Sequence, residues 1–122
     1  MAQGPHSSEK GRQGQKLAEK FLKKKGLRIL ARNVNTGPAE IDLVARDGRV
    51  LVFVEVRSRW SKSDAEPEET VNLRKQQRLV RGAGAFMKFR GWENQAARFD
   101  VVAVDGFVDP PAIRYFPDAF SV

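Results

Sequence analysis

Cysteine is absent from the 122 residues. Disulfides and thiolate zinc sites are therefore excluded. Histidine is almost absent too. His6 is the single one, and it sits in a polar N-terminal segment. That rules against an imidazole-based zinc site and a Ser-His-Asp triad. No run approaches the roughly 20 apolar residues that cross a bilayer. Met1 to Lys10 is polar and lacks the apolar stretch of a secretory signal. These absences predict a cytoplasmic protein with no membrane part. Carboxylate, lysine and arginine chemistry remains for catalysis, together with a hard cation.

What is present is positive charge. Lys and Arg number 22 against 15 Asp and Glu, giving a formal net charge of +7 and a pI near 10.1. So basic a small chain favours a polyanionic partner, either nucleic acid or an anionic membrane surface. The length suits one domain with a core of its own. Residues 1–8, with Gly4, Pro5, Ser7 and Ser8, read as a disordered terminus ahead of a single domain over 9–122.

Apolar spacing places a helix over Glu9–Lys25, with Leu17, Ala18, Phe21 and Leu22 on one face and Gly26 as its cap. A strand follows over Leu27–Arg32, and Asn35 to Pro38 is a turn. A second helix is expected over Glu68–Phe89. Its apolar stripe is Leu73, Val80, Ala83 and Met87, with Arg74, Lys75, Arg78 and Arg81 around it. Phe99–Val104 reads as a strand, and Ala112–Phe116 as a last short one. Phe21, Phe53, Phe86, Phe89 and Phe99 are core candidates. Helices on both sides of a mixed sheet make an α/β or α+β sandwich.

The segment Ala39–Arg57 carries the most information. Two β-rich runs flank Asp47-Gly48, which reads as a two-residue hairpin loop. That register sets Val44 against Leu51, Asp42 against Phe53 and Glu40 against Glu55. One face then carries Glu40, Asp42, Val44, Leu51, Phe53, Glu55 and Arg57. The other, with Ile41, Leu43, Ala45, Val50, Val52, Val54 and Val56, is wholly apolar. Strands of this kind lie inside a sheet covered on both sides. Directly opposed carboxylates repel, and Asp42 and Glu55 are diagonal neighbours in this register. Two readings of the cluster stay open. It is a site for a divalent cation, which takes one or two carboxylates plus waters and phosphate oxygens. Or it is a salt-bridge cluster at a sheet edge with Arg57, Arg98 and Lys75 as partners. Arg98 and Asp100 share a strand face and read as a structural pair.

Glu40-Ile41-Asp42-Leu43 and Val52-Phe53-Val54-Glu55-Val56-Arg57 resemble the two core blocks of the YraN-like uncharacterised bacterial family. Gly14 with Leu17-Ala18, Arg32-Asn33, Lys75, Arg98-Phe99-Asp100-Val101-Val102 and Ala119-Phe120 extend the resemblance over roughly residues 11–120. That family is similar to Holliday-junction resolvases of the PD-(D/E)xK nuclease superfamily. The resemblance implies a restriction-endonuclease-like αβββαβ core and a metal-dependent endonuclease acting on DNA, including branched or structured DNA. It implies weakly held Mg²⁺ or Mn²⁺ on Asp42, Glu55 and the Val56 carbonyl, with Arg57 as the third catalytic residue. Gln15, Glu40 and Lys75 are accessory candidates. A homodimer comes into view because resolvase-like relatives make two cuts. Three positions depart from the pattern. Arg57 stands where the superfamily has lysine, Gln15 where the family usually has glutamate, and Ala39 where it has glycine. Arginine keeps the charge but cannot take a proton. A DNA-binding module of nuclease fold, weak or inactive in cleavage, is therefore the alternative.

Candidate nucleic-acid contacts are Lys23 and Lys24 at the first helix end, and Arg59, Trp60 and Lys62 after the hairpin. Each has a plainer reading. The lysines suit a solvated helix end, and Trp60 suits a cover over the sheet edge.

Overall fold

The computed structural model describes residues 9–121. The expectation for residues 1–8, His6 included, lies outside the described residues. Helix α1 (Glu9–Lys24) precedes three strands, β1 (Arg28–Asn35), β2 (Glu40–Asp47) and β3 (Val50–Arg59). A short 3₁₀ turn (Pro67–Thr70) leads into helix α2 (Leu73–Arg90). Strands β4 (Ala97–Asp105) and β5 (Ala112–Phe120) complete the chain. The sheet order is β1-β2-β3-β4-β5, antiparallel except where β3 and β4 run parallel. A parallel pair needs a crossover, and α2 supplies it. This is the expected α+β architecture, with its αβββαβ order and one added strand.

The two faces of the sheet carry separate cores. Ala18 and Leu22 of α1 pack with Leu43, Ala45, Val52, Val54, Val56, Val102 and Val104. Leu79, Ala83 and Phe86 of α2 pack with Val44, Leu51, Phe53, Phe99 and Val101. The alternation along β3 is thus the one expected for a strand covered on both sides. Ile41 departs from it and packs with the α2 core, while Leu43 packs with the α1 core. The β2–β3 ladder ends at Leu43↔Val54, so regular alternation is not imposed on β2 before Leu43.

The hairpin register differs from the expected one by two residues. Asp47 pairs with Val50, Arg46 with Leu51 and Val44 with Phe53. The loop residues are therefore Gly48 and Arg49. Gly48 has φ of 59°. A type II′ turn needs a positive φ at its first loop residue, which glycine adopts readily because it has no Cβ. An Asp47-Gly48 loop would put an aspartate there. A two-residue shift leaves every side chain on its face, since strands alternate with period two. It also aligns Asp42 with Glu55 rather than with Phe53.

Helix α1 ends as expected at Gly26, with the Leu27 N–H returning to the Leu22 carbonyl at 3.0 Å, a Schellman closure. Helix α2 starts later than expected, because Asn72 caps it by accepting the Lys75 N–H at 3.0 Å. Its buried stripe is rotated from the expected one. Leu79, Gly82, Ala83 and Phe86 are buried, whereas Leu73 and Phe89 are 67% and 87% exposed. Phe89 is therefore not a core residue. Gly82 permits close approach to the β1–β2 turn, where an added Cβ would meet Thr36 Oγ1 at 2.6 Å. The flanking strands β1 and β5 are longer than the short segments expected.

Candidate active site

Asp42 and Glu55 meet on the α2 face, midway along β3 and β4 and just past the last β2–β3 pair. Both are nearly inaccessible, at 3% and 2% exposure. Asp42 Oδ2 accepts the Val56 N–H at 2.7 Å. The side chain thus takes a backbone donor just past the last β2–β3 pair, and this anchors it beside β3. Glu55 lies one residue earlier on β3, next to Val101 of β4. The strand is central, so a carboxylate at this position is shielded from bulk water.

Two cations face it. Lys75 Nζ, from the first turn of α2, stands 3.4 Å from Glu55 Oε2. Arg57 Nη1 stands 3.5 Å from the same oxygen. Arg57 is held in turn by Thr70, whose Oγ1 accepts from Nε at 2.7 Å and donates to the Pro67 carbonyl at 2.6 Å. Sequence reasoning missed Thr70, since nothing in a polar loop marks one hydroxyl. The Asn72 cap that places Lys75 did carry a signal, an Asn followed by a helix-forming run.

Both Glu55 carboxylate oxygens and Gln15 Oε1 are buried without a hydrogen-bond partner. Such orphaned acceptors are uncommon, and each costs desolvation free energy. Burial pushes the Glu55 carboxyl up, the Asp42 charge beside it adds to the rise, and Lys75 and Arg57 oppose it. The outcome is a pKa of about 8. Gln15 lies on the buried face of α1. Its neighbour Gly14 brings that helix against β3, where an added Cβ would meet the Ser58 side chain at 3.1 Å.

Among the described residues no three acidic or histidine side chains gather as a metal-holding group. The expected opposition of Glu40 and Glu55 does not occur. Glu40 pairs with Asn35 on β1 and is exposed, a consequence of the two-residue shift. The donor set is therefore two carboxylates. That fits Mg²⁺ or Mn²⁺, which accepts one or two carboxylates and keeps several waters. Glu55's orphaned oxygens are the observation that makes the fit.

The other expected positions scatter. Lys23 pairs with Glu19 at 3.1 Å, and Lys24 is exposed at the α1 end. The following residue, Lys25, lines a hollow with Asp47 and Arg98, at the hairpin-turn end of the sheet. Lys23 and Lys24 are thus remote from Asp42 and Glu55. Arg59 belongs to an internal ion-pair network with Asp105 at 2.8 Å and Glu66 at 3.2 Å. Arg114 joins that network through Asp105, Glu66 and Glu68. Trp60 lies over Gly106, where an added Cβ would collide with its ring at 2.0 Å; it is a cover for the β4–β5 turn. Lys62 is exposed in the loop. Arg98 stays away from the site and pairs with Asp100 and Asp47. Of the residues expected in the site, Asp42, Glu55, Val56, Arg57 and Lys75 are brought together.

The model of the uncharacterised protein family UPF0102 matches residues 14–104. A UPF0102 protein of Anaeromyxobacter dehalogenans is 50% identical over 111 residues, 91% of this chain and 83% of the relative. One from Syntrophotalea carbinolica is 39% identical over 112 residues, covering 92% and 91%. One from Symbiobacterium thermophilum is 46% identical over 95 residues, covering 78% and 80%. The matched family segment contains every residue of the Asp42–Glu55 site.

Proposed function

The chain belongs to the uncharacterised protein family UPF0102, and from that premise we propose that it is a cytoplasmic metal-dependent endonuclease acting on DNA, including branched or otherwise structured DNA. One observation carries the reading. Glu55 is a buried carboxylate whose two oxygens lack hydrogen-bond donors, and Asp42 stands beside it under a backbone N–H. A purely structural carboxylate at such depth is normally satisfied by donors.

Asp42, Glu55 and the Val56 carbonyl would hold the ion. A bound Mg²⁺ or Mn²⁺ supplies a water of lowered pKa and neutralises charge building on a phosphate. The rest falls to the chain. The Val56 N–H keeps Asp42 in one rotamer. Thr70 fixes the Arg57 guanidinium, which stays protonated and can bind a phosphate oxygen but cannot accept a proton. Lys75, paired with Glu55 Oε2 at 3.4 Å, adds a second positive charge at the site. In this reading α2 supplies the lysine that Arg57 replaces on β3. Gln15 on α1 brings no negative charge where the family usually has glutamate, so the ion would be held weakly by the two carboxylates. Two cuts across a junction would call for a homodimer.

Gln15 and the locked Arg57 favour a second reading, a DNA-binding module that does not cut. A cleavage assay with Mg²⁺ and with Mn²⁺ on linear duplex, single-stranded and four-way-junction DNA separates the two. Slow cleavage, faster with Mn²⁺ and lost in Asp42→Ala, is expected. Binding without cleavage on every substrate would replace the enzyme with the module.

A further inference from the structure

Helix α2 carries Arg74, Lys75, Arg78, Arg81, Lys88 and Arg90 and no acidic residue at all. Lys75 turns inward to Glu55, and Arg90 lies over the rings of Phe86 and Trp92. The other four are exposed. No ion pair or side-chain hydrogen bond to another described residue engages them. At 3.6 residues per turn, Arg74, Arg78, Arg81 and Lys88 fall within an arc of about 80°, opposite the buried Ala83. Between Arg81 and Lys88 that arc holds only Ala85, and the adjacent Gly84 faces open space. The stripe is about 21 Å long at 1.5 Å per residue.

Four unpaired cations in one line repel each other and bring the folded chain no compensating contact. Helix α1 is built differently. It contains Glu9 and Glu19, and Glu19 holds Lys23 and Arg32. Its basic end also points away from the site.

We propose that the outer face of α2 is the docking surface for a nucleic-acid duplex, whose backbone runs along Arg74, Arg78, Arg81 and Lys88. The inference rests on the nuclease reading for its occupant, because the stripe begins at Arg74, next to the lysine that enters the Asp42–Glu55 site. Phosphates along one strand advance about 3.4 Å each, so the stripe spans about six of them. An anionic membrane offers the same charge. Within the arc no large apolar side chain stands, and Phe89, 87% exposed, lies about 20° outside it at the Lys88 end; one ring against four cations favours the duplex over lipid insertion.

The test is binding of a fluorescent 30-base-pair duplex over a salt series, with vesicles rich in phosphatidylserine as a second arm. The variant R74Q/R78Q/R81Q is compared with the parent, with single R81E and with K23Q/K24Q. All these positions are exposed, and thermal melts establish that each variant folds. Loss of three contacts should flatten the log–log salt slope by about 2.7, at about 0.9 per contact. Affinity near 0.1 M salt should fall on the order of 100-fold, and R81E should lose about ten-fold. K23Q/K24Q should stay within about two-fold of the parent. A triple variant with the parent's slope, a larger loss in K23Q/K24Q, or no duplex binding by the parent overturns the proposal. So does α2-dependent binding of vesicles without duplex. If the parent binds duplex through α2 and never cuts it, the docking face stands and the enzyme reading falls. If it cuts and the triple variant binds as tightly, the docking face falls alone.

Discussion

The two faces of the sheet each bury a carboxylate at the same level, where Val54 pairs with Asp100 and Glu55 with Val101, and they treat it in opposite ways. On the α1 face, Asp100 is fully buried and satisfied from several sides. Arg98 Nε donates to it at 3.1 Å, the Tyr115 hydroxyl donates to it, and the Asp118 N–H donates at 2.9 Å. Tyr115 is pushed up to about 12 by burial and by the Asp100 carboxylate, so it remains a donor at every physiological pH. On the α2 face Glu55 is as deeply buried, yet it has two cations at 3.4 and 3.5 Å, both on Oε2, and no hydrogen bond from a backbone N–H or a cationic side chain. A satisfied buried charge holds a fold together. An unsatisfied one costs stability and marks where a ligand would supply what the chain does not.

The largest effect that would sharpen this contrast is on cleavage. Asp42→Ala should reduce the rate by about 1000-fold, the scale on which a key electrostatic group acts, with little loss of duplex affinity. Single-turnover assays beside the binding titration measure both. Cleavage unchanged by Asp42→Ala would break the comparison at its root.

Asp100→Ala comes next and acts on stability instead. It strands Arg98 and removes the acceptor of Tyr115 and Asp118, so it should cost about 3 to 5 kcal/mol in urea denaturation. Any remaining folded protein should keep its metal response. If Asp100→Ala is harmless while Glu55→Ala unfolds the chain, the roles of the two faces are reversed.

A smaller effect concerns the positions that differ from the family pattern. Gln15→Glu with Arg57→Lys restores the family's usual carboxylate on α1 and puts an amine in place of the guanidinium on β3. Cleavage should rise roughly ten-fold, about 1.4 kcal/mol off the barrier, while duplex affinity stays near the parent's. An inactive double variant that binds DNA as the parent does would favour the binding module.

The smallest effect is on pH dependence. Glu55 titrates near 8 in the fold against an ordinary 4.5, so the folded state binds its proton more tightly than the unfolded chain. Its contribution to stability is complete below pH 4.5 and drains away as pH rises to about 8. The metal-free protein should therefore melt progressively lower between pH 5 and 8.5. Glu55→Gln should flatten that trend and melt a few degrees higher than the parent at pH 8.5, about 1 kcal/mol. Mg²⁺ binds the ionised carboxylate, so it should raise the parent's melting temperature more at pH 8.5 than at pH 6. Melts with and without Mg²⁺ at both pH values test this.

The face assignments along the hairpin were legible from alternation, and a register wrong by two residues left them nearly untouched. Asp42, Glu55 and Arg57 were found together for that reason. Glu40 was lost for the same one. Its place opposite Glu55 depended on absolute register, which the choice of glycine as the first loop residue decided. The stripe of α2 was misread because its apolar residues are few, and Leu73 and Phe89 fit a helical period without facing the sheet.

The chain's composition and local pattern settle a good deal. Without cysteine and with one histidine, thiolate sites and histidine clusters are excluded within this sequence. Periods of two and of 3.6 residues determine a central hairpin between two helices, because each apolar face needs a partner to exclude water. Distances along the sequence say nothing of which groups meet across a crossover. Lys75 reaches Glu55 from twenty positions away because Asn72 starts α2 where it does and the parallel β3–β4 pair draws that helix across the sheet. Arg57 is fixed by a hydroxyl thirteen residues on, and Arg59 is taken up by Asp105 from the end of β4. Burial, too, belongs to the tertiary structure. Asp100 and Glu55 are both acidic residues in apolar strands, and only the packing around them gives one its donors and leaves the other without.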